Sequence, residues 1–522
     1  MNRAALNGAE SLVHTLADAG IEICFGNPGT SEMHFVGALD REPRMRGVLC
    51  LFEGVAAGAA DGYARMTGKP AASLLHLGPG FANAISFLHN ARKAAQPLVT
   101  IVGDHATSHS RYIQAPLTSD IMAITGSVSD WLHQCQSAND VAGDGARAVQ
   151  AARNAPGQIA TLVLPADMAW SQAAGPARPL PVTPPRPVDG AVIDRVAAAL
   201  KNGKRTAFLM RGPCLQQAGV EAAGRIARHT GARLLHDYFT PRITRGEGLA
   251  EVERIPYFAE EIVEHLKGLE QIVLVGAPAP VSFFAYPDKP SWMTPDGCDL
   301  LTLSEPQDDS TGALQALADG LGAKAPGQLV SRVIPPMPVH APLDADSMGA
   351  IIARLMPEDA IGSDDSLTAG PGLQKYLPYG PRHDWLILTG GAIGHAPPMA
   401  VGAALACPDR KVICVSGDGA AMYSLQALWT MAREKLDIVT IICANRRYNI
   451  LNIELGRVGA LNPGPKTLAM LDLHNPELDF VKLAQGMGVQ ASRAETTTEF
   501  AAQFAEAMQT KGPRVIEAVL PG

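Results

Sequence analysis

Aromatic side chains are scarce in this chain: they make up 5% of its 522 residues, and charged side chains make up only 18%. Basic residues are outnumbered, 43 Lys and Arg against 51 Asp and Glu, giving a net charge of -8. That balance argues against nucleic acid or an anionic membrane as the main partner. No run approaches the roughly 18 apolar residues that a membrane span requires. The opening MNRAALNGAESLVHTLADAG reads as an amphipathic helix ending at Gly20, without the continuous apolar core of a signal peptide. None of the eight cysteines stands in a CxxC pair, and several lie in apolar runs, such as Cys414 in VICVSG and Cys443 in TIICAN. Buried reduced thiols in a cytoplasmic protein are the expectation.

Apolar residues (47%), glycine (51) and proline (40) are plentiful. This excludes a disordered or collagen-like chain, and the length suits three to four domains of about 150 residues. The repeating unit is a short apolar run, a Gly, Asp or Pro turn, then a helical stretch: PLVTIVGD, QIATLVLPAD, QIVLVGAP, KVICVSGDG and IVTIICAN. Continuous rather than alternating apolar runs predict parallel strands covered on both faces by helices, hence an α/β protein. Ligand chemistry then belongs in the loops at the carboxyl ends of the strands. Two Pro-rich stretches, 175–190 and 333–346, hold extended paths and read as linkers. They divide the chain into 1–174, 190–332 and 345–522.

The sharpest pattern is VICVSGDGAAMYSLQALWTMAREKLDIVTIICANRRYN. A buried strand runs into Gly417-Asp418-Gly419, a helix follows, and a second strand ends at Asn445. One βαβ unit brings Asp418 and Asn445 to the same sheet edge. Their carboxylate and amide oxygens suit a hard cation such as Mg²⁺, usually shared with phosphates. Gly417 and Gly419 admit close backbone approach, and the following helix start directs N–H groups at an anion. A second pattern is LCLFEGVAAGAADGYARMTG. It places Glu53 at a strand end, opening a helix with Gly54, Gly58 and Gly62 on one face. Each glycine costs about 1 kcal/mol of helix propensity. A tight helix–helix contact, placed between subunits, is the economical explanation.

The GDG-to-Asn spacing resembles the diphosphate-binding motif of the thiamine diphosphate enzymes, and E-x-x-x-x-x-x-A-D-G-Y-A resembles their glutamate motif. The resemblance implies three α/β domains with mostly parallel sheets: pyrimidine-binding (1–174), central (190–332) and diphosphate-binding (345–522). It implies thiamine diphosphate and Mg²⁺ as cofactors, with Asp418, Asn445 and the Arg447 carbonyl holding the metal. Glu53 would activate the aminopyrimidine. Gly417, Asp418, Gly419, Ala420, Tyr448, Asn449 and Ile450 would surround the cofactor. So would Gly391 and Ile393 of TGGAIGHAPPMAVG, with Ile393 under the bent cofactor, and Ser366 and Thr368 of IGSDDSLTAG as diphosphate donors. Ala444-Asn445-Arg446-Arg447-Tyr448-Asn449 departs from the family's paired Asn and Tyr-Gly.

GNPGTSEMHF and LLHLGPGFANA are similar to segments of benzoylformate decarboxylase and of acetolactate-synthase-like large subunits. The likeness implies a pocket hydroxyl at Thr30 and a proton-relaying histidine at His76. Ile450, Leu451 and Glu454 should face the pocket, and His105 and His109 lie in a strand-end loop. Ala285 stands where the decarboxylase has a second histidine. No FAD signature stands out in 190–332, and no C-terminal lid follows RVIEAVLPG. The expected activity is decarboxylation or carboligation of a small 2-oxo acid, with an aldehyde or second oxo acid as acceptor. The expected assembly is a homodimer with interfacial active sites, paired into a tetramer. A 2-hydroxyacyl-CoA lyase or oxalyl-CoA decarboxylase type of enzyme and a non-catalytic homologue stay open.

Overall fold

Three β-sheets organise the computed structural model, which describes residues 6–112, 114–334, 339–460 and 462–522. The first sheet contains β1 (Ile23–Gly26), β2 (Arg46–Leu49), β3 (Ala71–His76), β4 (Leu98–Asp104), β5 (Trp131–Gln134) and β6 (Ile159–Pro165). All its pairings are parallel, in the order β2-β1-β3-β4-β6-β5. The next strands are β7 (Thr206–Met210), β8 (Arg233–His236), β9 (Arg242–Arg245), β10 (Glu253–Arg254), β11 (Gln271–Val275) and β12 (Asp299–Ser304). All except β9 form a parallel sheet in the order β10-β8-β7-β11-β12.

The third sheet adds β13 (Ile361–Asp365), β14 (His383–Ile387), β15 (Val412–Gly417), β16 (Ile438–Ala444), β17 (Gln490–Ala494) and β18 (Arg514–Val519). Its order is β17-β18-β16-β15-β13-β14-β9, with β9 antiparallel at the edge. Mostly parallel sheets flanked by helices are the architecture that the continuous apolar runs predict. β6, β15 and β16 are buried along their whole length. The antiparallel addition of β9, a strand from the middle of the chain, has no local signal in the sequence.

The sheets fall in two compact units. One comprises Met1–Pro184, Thr389–Asp409 and Ser424–Ile438, and the other Pro185–Leu388, Arg410–Tyr423 and Val439–Gly522. The first helix runs Gly8–Asp18, closed by a capping box between Asn7 and Glu10, so it stops two residues short of Gly20. Its beginning in the sequence reading, residues 1–5, lies outside the described residues, as does part of the 333–346 stretch (335–338). Among the described residues no helix is long and apolar enough to cross a membrane. The eight cysteines are unpaired, and burial pushes the Cys24 thiol up to about 12.

The glycine face finds its partner inside the first unit, not on another subunit. The Glu53–Thr67 helix lies against the Ala396–Ala406 helix, whose APPMAVGAALA is buried along most of its length. A Cβ at Gly58 would lie 2.9 Å from Pro398, and one at Gly62 would lie 2.1 Å from the Met399 carbonyl oxygen. Gly402 reciprocates: its Cβ would sit 1.9 Å from the Ala59 carbonyl oxygen and 2.5 Å from the Tyr63 nitrogen. Gly54 faces the Phe87 and Phe52 rings instead. Gly402→Ala therefore forces two backbones apart and should destabilise the protein by about 1–3 kcal/mol. Gly456→Ala, in a helix with open space around it, should leave urea-unfolding stability equal or slightly higher. Equal stability of the two variants would refute the close-packing account.

Candidate active site

The first sheet reverses strand order beside β1, so the connections leaving the carboxyl ends of β1 and β3 run in opposite directions along the sheet. His76 closes β3 and Leu77 follows with φ 47°, a conformation L-residues adopt only when their surroundings enforce it. His76 Nδ1 lies 2.8 Å from Glu32 Oε2, which also accepts the Gly29 N–H at 2.7 Å. Glu32 is 2% exposed, and its Oε1 has no hydrogen-bond partner. Burial raises the Glu32 carboxyl, against the pull of His76 and the Gly29 N–H. The pair fixes the imidazole through Nδ1 and leaves Nε2 as the nitrogen free for other groups. Gly103, paired with His76 across β3 and β4, is needed for this: a Cβ there would lie 1.7 Å from Glu32 Oε1.

Glu53 opens its helix at the end of β2, 7% exposed, and accepts a hydrogen bond from Asn83 Nδ2 at 3.0 Å. Gly80 lies between the two acid–base candidates: a Cβ there would lie 3.0 Å from Glu53 Oε1 and 3.3 Å from His76 Cβ. Glu53 and His76 are thus neighbours. Thr30 begins a short 3₁₀ turn and is exposed. His105 and His109 lie after β4 with tilted rings, their centroids 5.1 Å apart.

The loop bearing Gly391 and Ile393 belongs to the same unit. A fully buried network secures its ends. Asp61 Oδ2 lies 2.6 Å from His395 Nε2 and 2.7 Å from an Arg65 guanidinium nitrogen, and Arg65 donates to Thr389 Oγ1 at 3.0 Å. Burial alone would raise the Asp61 carboxyl, but Arg65 and His395 outweigh it and hold it below the ordinary range. Burial lowers the His395 imidazole against the pull of Asp61.

The second unit carries the GDG constellation. The third sheet changes direction at β13 and β15, and the loops after β13, β15 and β16 line a cavity of about 200 Å³. Gly417, Asp418, Gly419, Ala420, Asn445, Arg447, Tyr448, Asn449, Ile450, Ser366 and Thr368 all line it. Leu451 is instead 44% exposed, and Glu454 accepts a hydrogen bond from Tyr286 Oη at 2.9 Å. The stretch after β15 is not one helix: Asp418–Ala421 is a single turn, and the next helix is Ala427–Arg433. The Gly419 N–H is taken by Asp418 Oδ1 (2.7 Å) and the Arg446 N–H by Asp418 Oδ2 (2.6 Å). Burial raises the Asp418 carboxyl against these donors. Asn445 Oδ1 accepts the Arg447 N–H at 3.2 Å. Ser366 Oγ donates to Asp364 at 2.6 Å, so its hydroxyl already has an acceptor.

This donor set fits a hard cation and a diphosphate. A carboxylate, an amide oxygen and backbone carbonyls are oxygen ligands. Position 419 tolerates no side chain, because a Cβ would lie 2.4 Å from the Tyr448 ring. Among the described residues no three His, Cys, Asp or Glu side chains cluster as a metal site.

A cavity behind a strand-end GDG, and a buried glutamate opening a glycine-faced helix, are features of a cofactor-dependent α/β enzyme. The chain belongs to the thiamine pyrophosphate enzymes: the family's N-terminal TPP binding domain matches residues 6–126 and its C-terminal TPP binding domain residues 371–518. It is 50% identical over 520 residues, 99% of each chain, to a Mycobacterium tuberculosis protein provisionally named acetolactate synthase large subunit IlvX. It is 28% identical to benzoylformate decarboxylase of Pseudomonas aeruginosa, over 95% of this chain and 96% of that one. The thiamine diphosphate-dependent 4-hydroxybenzoylformate decarboxylase of Rhodococcus jostii RHA1 superposes with a TM-score of 0.86 at 25% identity, covering 99% of both chains.

The sequence reading missed Glu32, Asn83, Asp61 and His395 as site residues. Glu32 and His76 stand 44 positions apart, and only the glycines at 29 and 103 hinted at a crowded group there. Asp61→Asn strands Arg65 in the interior and should cost about 3–5 kcal/mol of stability near neutral pH. The folded-state carboxyl is lowered, so its contribution is complete above the ordinary Asp value of about 4 and is lost as pH falls below it. Urea melts should show a constant deficit from pH 7 down to about 4, then a shrinking one. A deficit that grows in acid would contradict the ion-pair reading.

Proposed function

We propose that this chain is a thiamine diphosphate- and Mg²⁺-dependent lyase or carboligase that acts on a small 2-oxo acid. The single observation that carries this is the gathering of the whole GDG-to-Asn set around one cavity, with oxygen donors for a hard cation. Asp418, the Asn445 side chain and the Arg447 carbonyl would hold Mg²⁺. Gly417, Gly419, Ala420, Tyr448, Asn449 and Ile450 would enclose the diphosphate. Ser366 and Thr368 line the same cavity, where Thr368 is the better donor because the Ser366 hydroxyl is engaged with Asp364. Bound thiamine diphosphate supplies the electron sink that lets CO₂ leave a 2-oxo acid.

The protein's own groups handle position and protons. Glu53, oriented by Asn83, holds or accepts a proton at the aminopyrimidine. His76, oriented through Nδ1 by Glu32, presents Nε2 as the proton relay. Gly391 and Ile393 shape the pyrimidine side, and the exposed Thr30 hydroxyl stands ready for a substrate carboxylate.

A homodimer with shared active sites, paired into a tetramer, is part of the reading. Large apolar side chains are exposed beside each set of site residues: Met33 (46%) and Leu51 (44%) near Glu32 and Glu53, and Met422 (40%) and Tyr423 (54%) after Asp418. Eight unpaired cysteines suit a cytoplasmic protein.

Glu53→Gln should lower turnover by at least 100-fold while leaving thiamine diphosphate affinity within a few-fold. The check is a reconstituted screen of pyruvate, 2-oxobutyrate, glyoxylate, phenylpyruvate and benzoylformate, with and without an acceptor aldehyde, measuring CO₂ and acyloin together. Full activity of the variant, or no cofactor-dependent CO₂ release from any oxo acid by the wild type, would sink the assignment. Acyloin in excess of free aldehyde identifies a carboligase, and the reverse a decarboxylase.

A further inference from the structure

The loop Thr389–His395 is shaped by one buried amide. Asn90 sits in the Leu77–Lys93 helix and is fully buried. Its Oδ1 accepts the N–H of Gly390 at 3.1 Å and of Ala392 at 3.3 Å, and its Nδ2 donates to the Ala392 carbonyl at 2.8 Å. Its main-chain carbonyl accepts Thr389 Oγ1 at 2.6 Å. Four bonds from one residue thus fall on a four-residue stretch. The side-chain amide grips Ala392 at both its N–H and its C=O, as a neighbouring strand would.

The adjoining contacts agree. His89 Nε2 lies 3.1 Å from the Gly390 carbonyl, and Ser424 Oγ donates to the Gly394 carbonyl at 2.6 Å. No side chain fits at position 390, where a Cβ would lie 2.6 Å from Asn90 Oδ1. Gly391 (φ 78°) and Gly394 (φ 88°) turn through the left-handed region. Asparagine is a poor interior helix residue, and a buried amide is costly unless its partners are supplied. The loop supplies them. Gly391 and Ile393, which make none of these bonds, lie between the fixed points.

We propose that Asn90 is a positioning residue that sets the Thr389–His395 loop, and through Gly391 and Ile393 the way the pyrimidine end of the cofactor is held. This rests on the thiamine diphosphate function proposed above. Asn90 acts through the loop and touches no reacting atom.

The test measures thiamine diphosphate affinity by tryptophan fluorescence with saturating Mg²⁺, the near-ultraviolet circular dichroism of the bound cofactor, and the melting temperature of the apo protein. Asn90→Gln keeps the amide but misplaces it, and should raise the cofactor Kd tenfold or more and alter the dichroism. Thr389→Val, which removes one of the four bonds and the acceptor of the Arg65 hydrogen bond, should raise Kd three- to tenfold and serves if the first variant does not fold. Ser73→Ala, which removes a buried hydroxyl bonded to Thr100 within the sheet, should move the melting temperature without moving Kd. Wild-type affinity in the folded Asn90 and Thr389 variants would overturn the inference alone. A wild-type protein that binds no cofactor would overturn the proposed function and this inference with it.

Discussion

Covering both faces of a parallel sheet is the constraint on which the rest of this structure depends. Strands such as β15 and β16 are apolar from end to end because neither face meets water. Polar chemistry is thereby expelled to the strand ends, and it collects where the strand order reverses. Glu32, Glu53 and His76 lie at such ends in the first unit, and Asp418 and Asn445 lie at such ends in the second. Close backbone approach at Gly58, Gly62 and Gly402 follows from the same demand. Helices that cover a sheet and also brace a loop must lie nearer to each other than side chains allow.

The interior of the first unit holds more charge than a stability argument alone would place there. Asp61, Arg65 and His395 are almost wholly enclosed, and the network reaches Thr389. Buried ion pairs contribute little net stability against apolar packing but fix one arrangement where apolar packing would tolerate several. Here the fixed arrangement is that of a glycine-rich loop, which has little order of its own. Glu32 is a second instance: a buried carboxylate with an unpartnered oxygen is costly, and it is spent on orienting one imidazole.

Much of this was legible in the sequence. The α/β class came from apolar runs without alternation, and the GDG-to-Asn spacing brought together residues that line one cavity. The glycine face of the Glu53–Thr67 helix announced a tight contact, but not its partner, because a helix face records how closely something approaches and not what approaches. The same limit hid Asn90, an unremarkable residue in a helical stretch until the loop almost 300 positions later folds onto it. β9 was invisible because antiparallel pairing with β14 across some 140 residues leaves no local trace. Ser366 was carried over as a diphosphate donor from the family resemblance; it lines the cavity, and its hydroxyl donates to Asp364, two residues away.

The cavity around Asp418 and Asn445 is proposed to bind a diphosphate through a hard cation. Calorimetric titration of thiamine diphosphate into metal-free protein, with and without Mg²⁺, tests it most directly. One saturable site per chain should appear only with the cation and disappear in Asp418→Ala. Binding of equal strength in the presence of a chelator, or in Asp418→Ala, would contradict it.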